Sequence, residues 1–255
     1  MRSFALLLVV FTVRALALAP AEADTLVDRA HRAYAAGDFT GALQLYDSVA
    51  SHYTSAGLEY DLGNCHFQLN DLGRAILHYE RALRLDPSAE DIRGNLQLAR
   101  SSMVDRVEDL PGMDLASIWE RIGGMDVWAW RSLACVLLFF LLLAVALTPG
   151  RERNWGRAWG IAAGGVGLLA ILAIVVSVIQ WQRFHDRTEA ILLEPRIQVI
   201  SAPKPGSKVL FVLHEGVKLN ILQEQDGFAE VRLSNGHVGW LRTATVERIA
   251  PDQGS

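Results

Sequence analysis

The sequence predicts a multidomain membrane protein: an all-α helical repeat, then a two-helix transmembrane hairpin, then a small all-β barrel. Three observations carry that prediction. A block of helical character repeats itself early in the chain, two long uncharged runs come after it, and beyond residue 190 short apolar runs alternate with turn residues.

The uncharged runs are 132–150 and 158–182, nineteen and twenty-five residues long, and each as a helix would cross a hydrocarbon core of about 30 Å. A soluble helix is apolar on one face, not all the way round at this length twice in succession. The N-terminus, MRSFALLLVVFTVRALALAPAEAD, has an apolar run from Phe4 to Val13 and a small-x-small triplet ending at Ala23, and reads as a secretory signal over 1–23. Arg14 interrupts that run, so an uncleaved anchor and a cut near Ala19 stay open as alternatives; every version exports the chain beyond it.

Arg151, Arg153 and Arg157 lie in the connector between the runs, and short Arg-rich loops stay cytoplasmic. The order expected is a repeat domain over 24–106, a linker over 107–127, spans at 128–148 and 158–182 with a cytoplasmic loop at 149–157, and the barrel over 190–250. Both soluble parts then face the same extracytoplasmic compartment, and the lipid bilayer is a partner of the hairpin.

Charge and thiols exclude several classes. The net charge is −4, with seventeen acidic against nine basic side chains over 24–126, so nothing resembles a nucleic-acid footprint. Cys65 and Cys135 are the two cysteines, in different environments and without a CxxC, which argues against a disulfide or a zinc site. His66 and His78 are read as helix-surface residues rather than ligands, and no metal or cofactor is expected. Cys65 beside His66 is the nearest thing to a nucleophile and base, but neighbours in a helix point about 100° apart. No catalytic residue is assigned, and the chain is read as not an enzyme.

The repeat is explicit. Gly37, Asp38, Ala42 and Tyr46 return as Asn70, Asp71, Ala75 and Tyr79 at a constant offset of 33. The second copy, LGNCHFQLNDLGRAILHYERALRLDP, places Gly63 and Ala75 where two antiparallel helices must approach and Tyr79 and Leu83 where gaps must be filled. Pro87 ends the second helix, Ser88 is expected to cap a further one, and SAEDIRGNLQLARSS to seal the stack with an acidic first turn.

This pattern resembles the tetratricopeptide repeat. The resemblance implies a concave face lined by the first helix of each pair: Val27, His31 and Tyr34, then Tyr60, Asn64, Phe67 and Gln68. It also sets Asn64 and Asn95 in the register where peptide-clamping members hold an extended ligand backbone. Tyr60 stands where those members carry lysine, so recognition of a C-terminal carboxylate is not implied. That Asn64 and Asn95 are ordinary helix-surface or capping polar residues stays open.

In the linker, Leu115, Ile118, Trp119 and Ile122 fall at helical spacing and predict a short amphipathic helix for the membrane surface or the repeat domain. Trp128, Trp130, Trp155, Trp159 and Trp181 mark the membrane boundaries. Gly160 and Gly164 form a GxxxG, and Ala163 and Gly167 a second small pair, inviting the first span or a partner's helix.

Beyond residue 190, five strands are expected, punctuated by 203–207, Asp226-Gly227 and Asn235-Gly236. The order of LHEGVKLNIL, DGFAEVRL, NGHVGWL and TATVERI resembles the bacterial SH3-like domain. Phe211 and Phe228 are expected inside and Trp240 on its surface; the absence of tyrosine over 190–255 argues against polyproline recognition.

Taken in order, signal, repeats, hairpin and SH3-like end resemble the aerotolerance-operon Bat proteins, of the BatE type. The resemblance implies a bacterial inner-membrane protein with periplasmic domains, membrane partners carrying von Willebrand A domains, and a link to oxygen or envelope stress. The function expected is a non-catalytic scaffold for protein–protein interaction; the alternative is a sensor that binds peptidoglycan through the barrel. If the connector sets orientation, replacing Arg151, Arg153 and Arg157 and adding basic residues around 120–130 scrambles topology in a cysteine-accessibility map. An unchanged map assigns orientation to the N-terminal signal alone.

Overall fold

Residues 18–105, 125–148 and 153–250 are described by the computed structural model, and they fall into two units. The first 17 residues, the linker stripe from Leu115 to Ile122 and Arg151 lie outside the described residues.

The first unit begins with α1 (Pro20–Ala35), α2 (Phe39–Ala50), α3 (Ala56–Gln68), α4 (Leu72–Leu85) and α5 (Glu90–Ser101). The repeat appears in the backbone as well as in the sequence. Gly37 at φ +82° turns α1 into α2, and its repeat mate Asn70 at φ +61° turns α3 into α4; glycine and asparagine are the residues that tolerate this left-handed region. Asp38 then accepts from the Gly41 amide at 2.9 Å, and Asp71 from the Arg74 amide at 3.2 Å, which satisfies an otherwise orphaned donor at each helix start. Between α3 and α4 a Cβ on Gly63 would stand 2.6 Å from the Tyr79 ring, so only glycine admits that ring there.

Two terminal features differ from expectation. Helix α1 starts at Pro20, Ala23 is buried against the first repeat, and the Tyr53 hydroxyl donates to the Leu18 carbonyl at 2.6 Å. The boundary between residues 23 and 24 therefore falls inside α1. At α5 the N-cap is Ala89, because the Ser88 hydroxyl donates to Asp86 at 2.6 Å instead of facing the helix; Glu90 and Asp91 supply the acidic first turn.

The same unit contains seven strands: β1 (Glu189–Leu192), β2 (Arg196–Ile200), β3 (Val209–His214), β4 (Lys218–Gln225), β5 (Phe228–Leu233), β6 (Val238–Arg242) and β7 (Val246–Arg248). Their order is β3-β2-β6-β5-β4-β1-β7, so the sheet is open, with β3 and β7 as its edges, and not the closed five-stranded barrel expected. The stretch expected as one first strand breaks around Glu194-Pro195. Its halves go to different places, β1 between β4 and β7, and β2 between β3 and β6. Asp226 and Gly227, both at positive φ, make the β4–β5 hairpin turn, and Gly236 the β5–β6 turn, as their sequences require.

Helices and sheet share a seam. In β1, Ala190 and Leu192 point into the sheet's own core, while Ile191 between them enters the core formed by α4 and α5, joined there by Ile249. Fully burying two such side chains contributes roughly 3–6 kcal/mol. Gly216, at φ +86°, brings the turn before β4 against α4: a Cβ there would stand 2.7 Å from Ile76 Cδ1. Polar contacts continue the seam. The Gly73 amide donates to Glu215 at 3.1 Å, Arg81 donates to Glu247 at 2.7 Å and to the Arg248 and Ile249 carbonyls, and the His214 amide donates to Asp105 at 2.6 Å. At its centre Glu80 is buried and ion-paired to Arg100 of α5 and to Lys218 of β4 at 3.2 Å. Lys218 also reaches Glu189 at 3.0 Å. Burial opposes ionisation of Glu80, but the two cations outweigh it and hold the carboxyl below its ordinary range.

The second unit pairs α6 (Met125–Ala146) with α7 (Arg153–His185), whose stretches Val127–Ala146 and Trp155–Ile179 are long and apolar enough to cross a membrane. Ala163, Ala170, Ala173 and Val176 are buried, and a Cβ on Gly167 would meet the Phe139 ring at 3.1 Å. The hairpin thus packs on the Ala163–Gly167 stripe. Gly160 and Gly164 face open space and take no part in it.

Glu80 generates a prediction. Its folded-state pKa is lowered, so the stability that it contributes is present above the unfolded carboxylate value, about 4.3, and is lost as pH falls through the folded value. Glu80→Gln lowers the denaturation free energy at pH 7 by about 2–4 kcal/mol, since Lys218 and Arg100 lose their shared partner. It also flattens the loss of stability on acidification, which denaturant titrations at pH 7 and pH 4 measure.

Candidate functional site

Three of the residues that the repeat register selects for the concave face converge in space. The amide nitrogen of Asn95 donates to the Tyr60 hydroxyl at 2.9 Å and to Asn64 Oδ1 at 3.0 Å, and the Tyr79 hydroxyl donates to the same Oδ1 at 2.8 Å. Asn64 stands on α3, the first helix of the second repeat, and Asn95 on α5, the helix that seals the stack, so the cluster joins the repeat to its seal. Tyr79 is a buried post behind it, and burial pushes its phenol up, which keeps it a neutral donor. The contacts among the described residues use the oxygen of Asn64 and the nitrogen of Asn95. Asn64 Nδ2 and Asn95 Oδ1 remain as one donor and one acceptor on half-buried side chains. That is the complement of one peptide unit of an extended chain.

The other groove residues flank this cluster. Phe67 is half-buried one turn along α3, Gln68 is exposed beside it, and Tyr34 of α1 packs edge-on to Phe39 at 5.1 Å.

A second polar pair lies across α1 and α3 and joins His31, which the register places on the groove, to Asp61, which was not named there. His31 Nε2 is 3.1 Å from Asp61 Oδ2, and Tyr46 stands behind them, edge-on to His31 at 5.8 Å. Burial raises the Asp61 carboxyl above its ordinary value in spite of the hydrogen bonds from His31 and Tyr46. The signal that could have found this pair is the repeat offset, since His31 is the mate of Asn64 and Asp61 precedes Asn95 by one repeat.

Other chemistry-bearing residues have structural surroundings. His66 and His78 are not surface residues. Their rings stack at 5.2 Å, His66 pairs with Asp71 at 3.2 Å and His78 with Glu59 at 2.7 Å, so each imidazole is occupied inside the repeat. Asp71 illustrates the balance: burial would raise its carboxyl, yet His66 and Arg74 hold it well below the usual range. Burial pushes the fully buried Cys65 thiol up to about 12, which leaves it protonated at neutral pH and a poor nucleophile.

On the sheet, Trp240 is only 8% exposed, paired with Ile200 on one side and Glu230 on the other. It is an interior residue and not the surface residue expected, whereas Phe211 and Phe228, expected inside, are half-buried. Arg157 is exposed on α7, which begins at Arg153.

No curated protein matches the chain. A family model of the tetratricopeptide repeat matches residues 27–90, from α1 to the start of α5; this span carries Asn64 and Asp61 and the repeat-related turns, and the chain is similar to tetratricopeptide proteins there.

Proposed function

We propose that this chain is a non-catalytic, membrane-anchored scaffold whose repeat groove holds an extended segment of a protein partner. Tetratricopeptide repeats are protein-interaction modules, and the observation that carries the reading is the Asn64–Asn95 clasp. It is positioned by Tyr60 and Tyr79, and it leaves one amide donor and one amide acceptor for a peptide backbone. Two such hydrogen bonds orient a strand without reading its sequence, so affinity depends on what else lines the groove.

The hairpin serves as anchor. Segments before α6 and after α7 belong to the same folded unit, so the chain between them crosses a bilayer an even number of times, and two spans satisfy this. A repeat groove and a sheet on one side of the membrane follow from that constraint, and the arginines of the connector favour the extracytoplasmic side for both. The resemblance to the Bat proteins supports a bacterial inner membrane, a periplasmic unit and membrane partners with von Willebrand A domains. For the alternative, a sensor that binds peptidoglycan through the C-terminal part, the buried Trp240 offers no exposed aromatic ring.

A photo-crosslinking residue at exposed Gln68 tests the groove in cells. The reading predicts an adduct with a protein partner, weakened about tenfold by Asn95→Ala, a change that removes one side of the clasp and leaves the Tyr79–Asn64 bond in place. An adduct indifferent to Asn95→Ala, or none at all, contradicts it.

A further inference from the structure

The clasp has a counterpart one repeat earlier. His31 and Asn64 are 33 residues apart, Asp61 and Asn95 are 34 apart, and the contacts join α1 to α3 in the first case and α3 to the sealing helix α5 in the second. The separations match: 3.1 Å between His31 and Asp61, 3.0 Å between Asn64 and Asn95. A buried tyrosine backs each, Tyr46 behind the first and Tyr79 behind the second, themselves repeat mates. The groove therefore carries the same construction twice, once neutral and once with a carboxylate.

Glu80 and Asp61, both drawn in from water, are treated differently. Glu80 has two cations and is held ionised. Asp61 has a neutral tyrosine and a histidine, which is charged only when protonated; its side chain keeps 25% of its surface open and that of His31 keeps 55%. A carboxylate offers about four acceptor sites, of which these neighbours use two. The other groove residues named above, Tyr34, Tyr60, Asn64, Phe67, Gln68 and Asn95, bring no formal charge, so Asp61 is the carboxylate among them.

We propose that the His31–Asp61 pair is a second station of the groove, taking a lysine or arginine side chain of the same bound segment. Neighbouring helices pack about 8–10 Å apart, and an extended chain advances about 3.3 Å per residue, which places the cation about three residues from the peptide unit held at Asn64 and Asn95. A guanidinium or ammonium there meets a partly desolvated carboxylate in a charge-assisted bond, and an acidic side chain is repelled. The partner is thus a protein with an extended, basic segment. This rests on the groove reading above, and its test separates the two.

The full-length protein in detergent micelles is panned against a randomised library of terminally blocked nine-residue peptides, and the bound sequences are read. The wild type enriches lysine and arginine over glutamate at one position by about tenfold. Asp61→Asn, which keeps the shape and the hydrogen-bonding neighbours, abolishes that preference and leaves peptides with a neutral residue there bound as before. His31→Gln, a second variant that leaves the carboxylate in place, retains it. Asn95→Ala weakens all peptides alike. Bound peptides without a cationic preference, or a preference that survives Asp61→Asn, overturn the second station and leave the groove reading standing. Failure of the wild type to enrich any peptide over Asn95→Ala overturns both.

Discussion

Glu80 is reached from two directions by cations that lie far apart in the sequence, Arg100 from the helix that ends the repeat stack and Lys218 from the fourth strand. An isolated carboxylate drawn this far from water would take up a proton, so the ion triplet forms only when helix and strand meet. Ile191, Ile249 and the close approach at Gly216 give the meeting its shape. A stack of two repeats with one sealing helix is near the minimum that can bury its own core. Here the open face of the second repeat is closed by a sheet as well, and one folded unit results.

That closure constrains everything between residues 105 and 188. Asp105, the last described residue before α6, accepts from the His214 amide at the end of β3, and after α7 the chain re-enters the unit at Thr188, next to the strand that carries Ile191. The apolar hairpin is an insertion into a finished fold, and its two ends belong on one side of any membrane it crosses.

Much of the repeat was legible because its constraints are local. Glycine or asparagine is needed where φ is positive, an aspartate is needed to cap, and Gly63 is needed where Tyr79 enters; each is a demand on one residue type at one spacing. The seam was not legible. Within HYERALRL, Glu80 looks like an ordinary solvated helix position, and nothing local announces a lysine 138 residues later. The stretch from Ala190 was read as a strand, but its double burial was not legible: alternation marks a strand with one wet face, and Ala190, Ile191 and Leu192 are all buried because β1 separates two cores. Trp240 was misplaced because a lone tryptophan in a small domain suits a core or a binding face equally, and only the pairing of β2 alongside β6 decides. In the hairpin, both small-residue stripes satisfy the close-packing rule, and the bulky Phe139 opposite Gly167 chooses between them. The groove was half legible: register named Asn64, Asn95 and His31, but not Asp61, which looks like a solvated helix position until His31 is seen beside it.

The central claim is that repeats and sheet are one cooperative body. Native-state hydrogen exchange across a guanidinium series, read by mass spectrometry on peptides from α4 and from β4, tests it directly. The account predicts that deep protection in residues 72–85 and in residues 218–225 is lost at the same denaturant concentration. Loss of protection in β4 at a concentration that leaves α4 protected would contradict it.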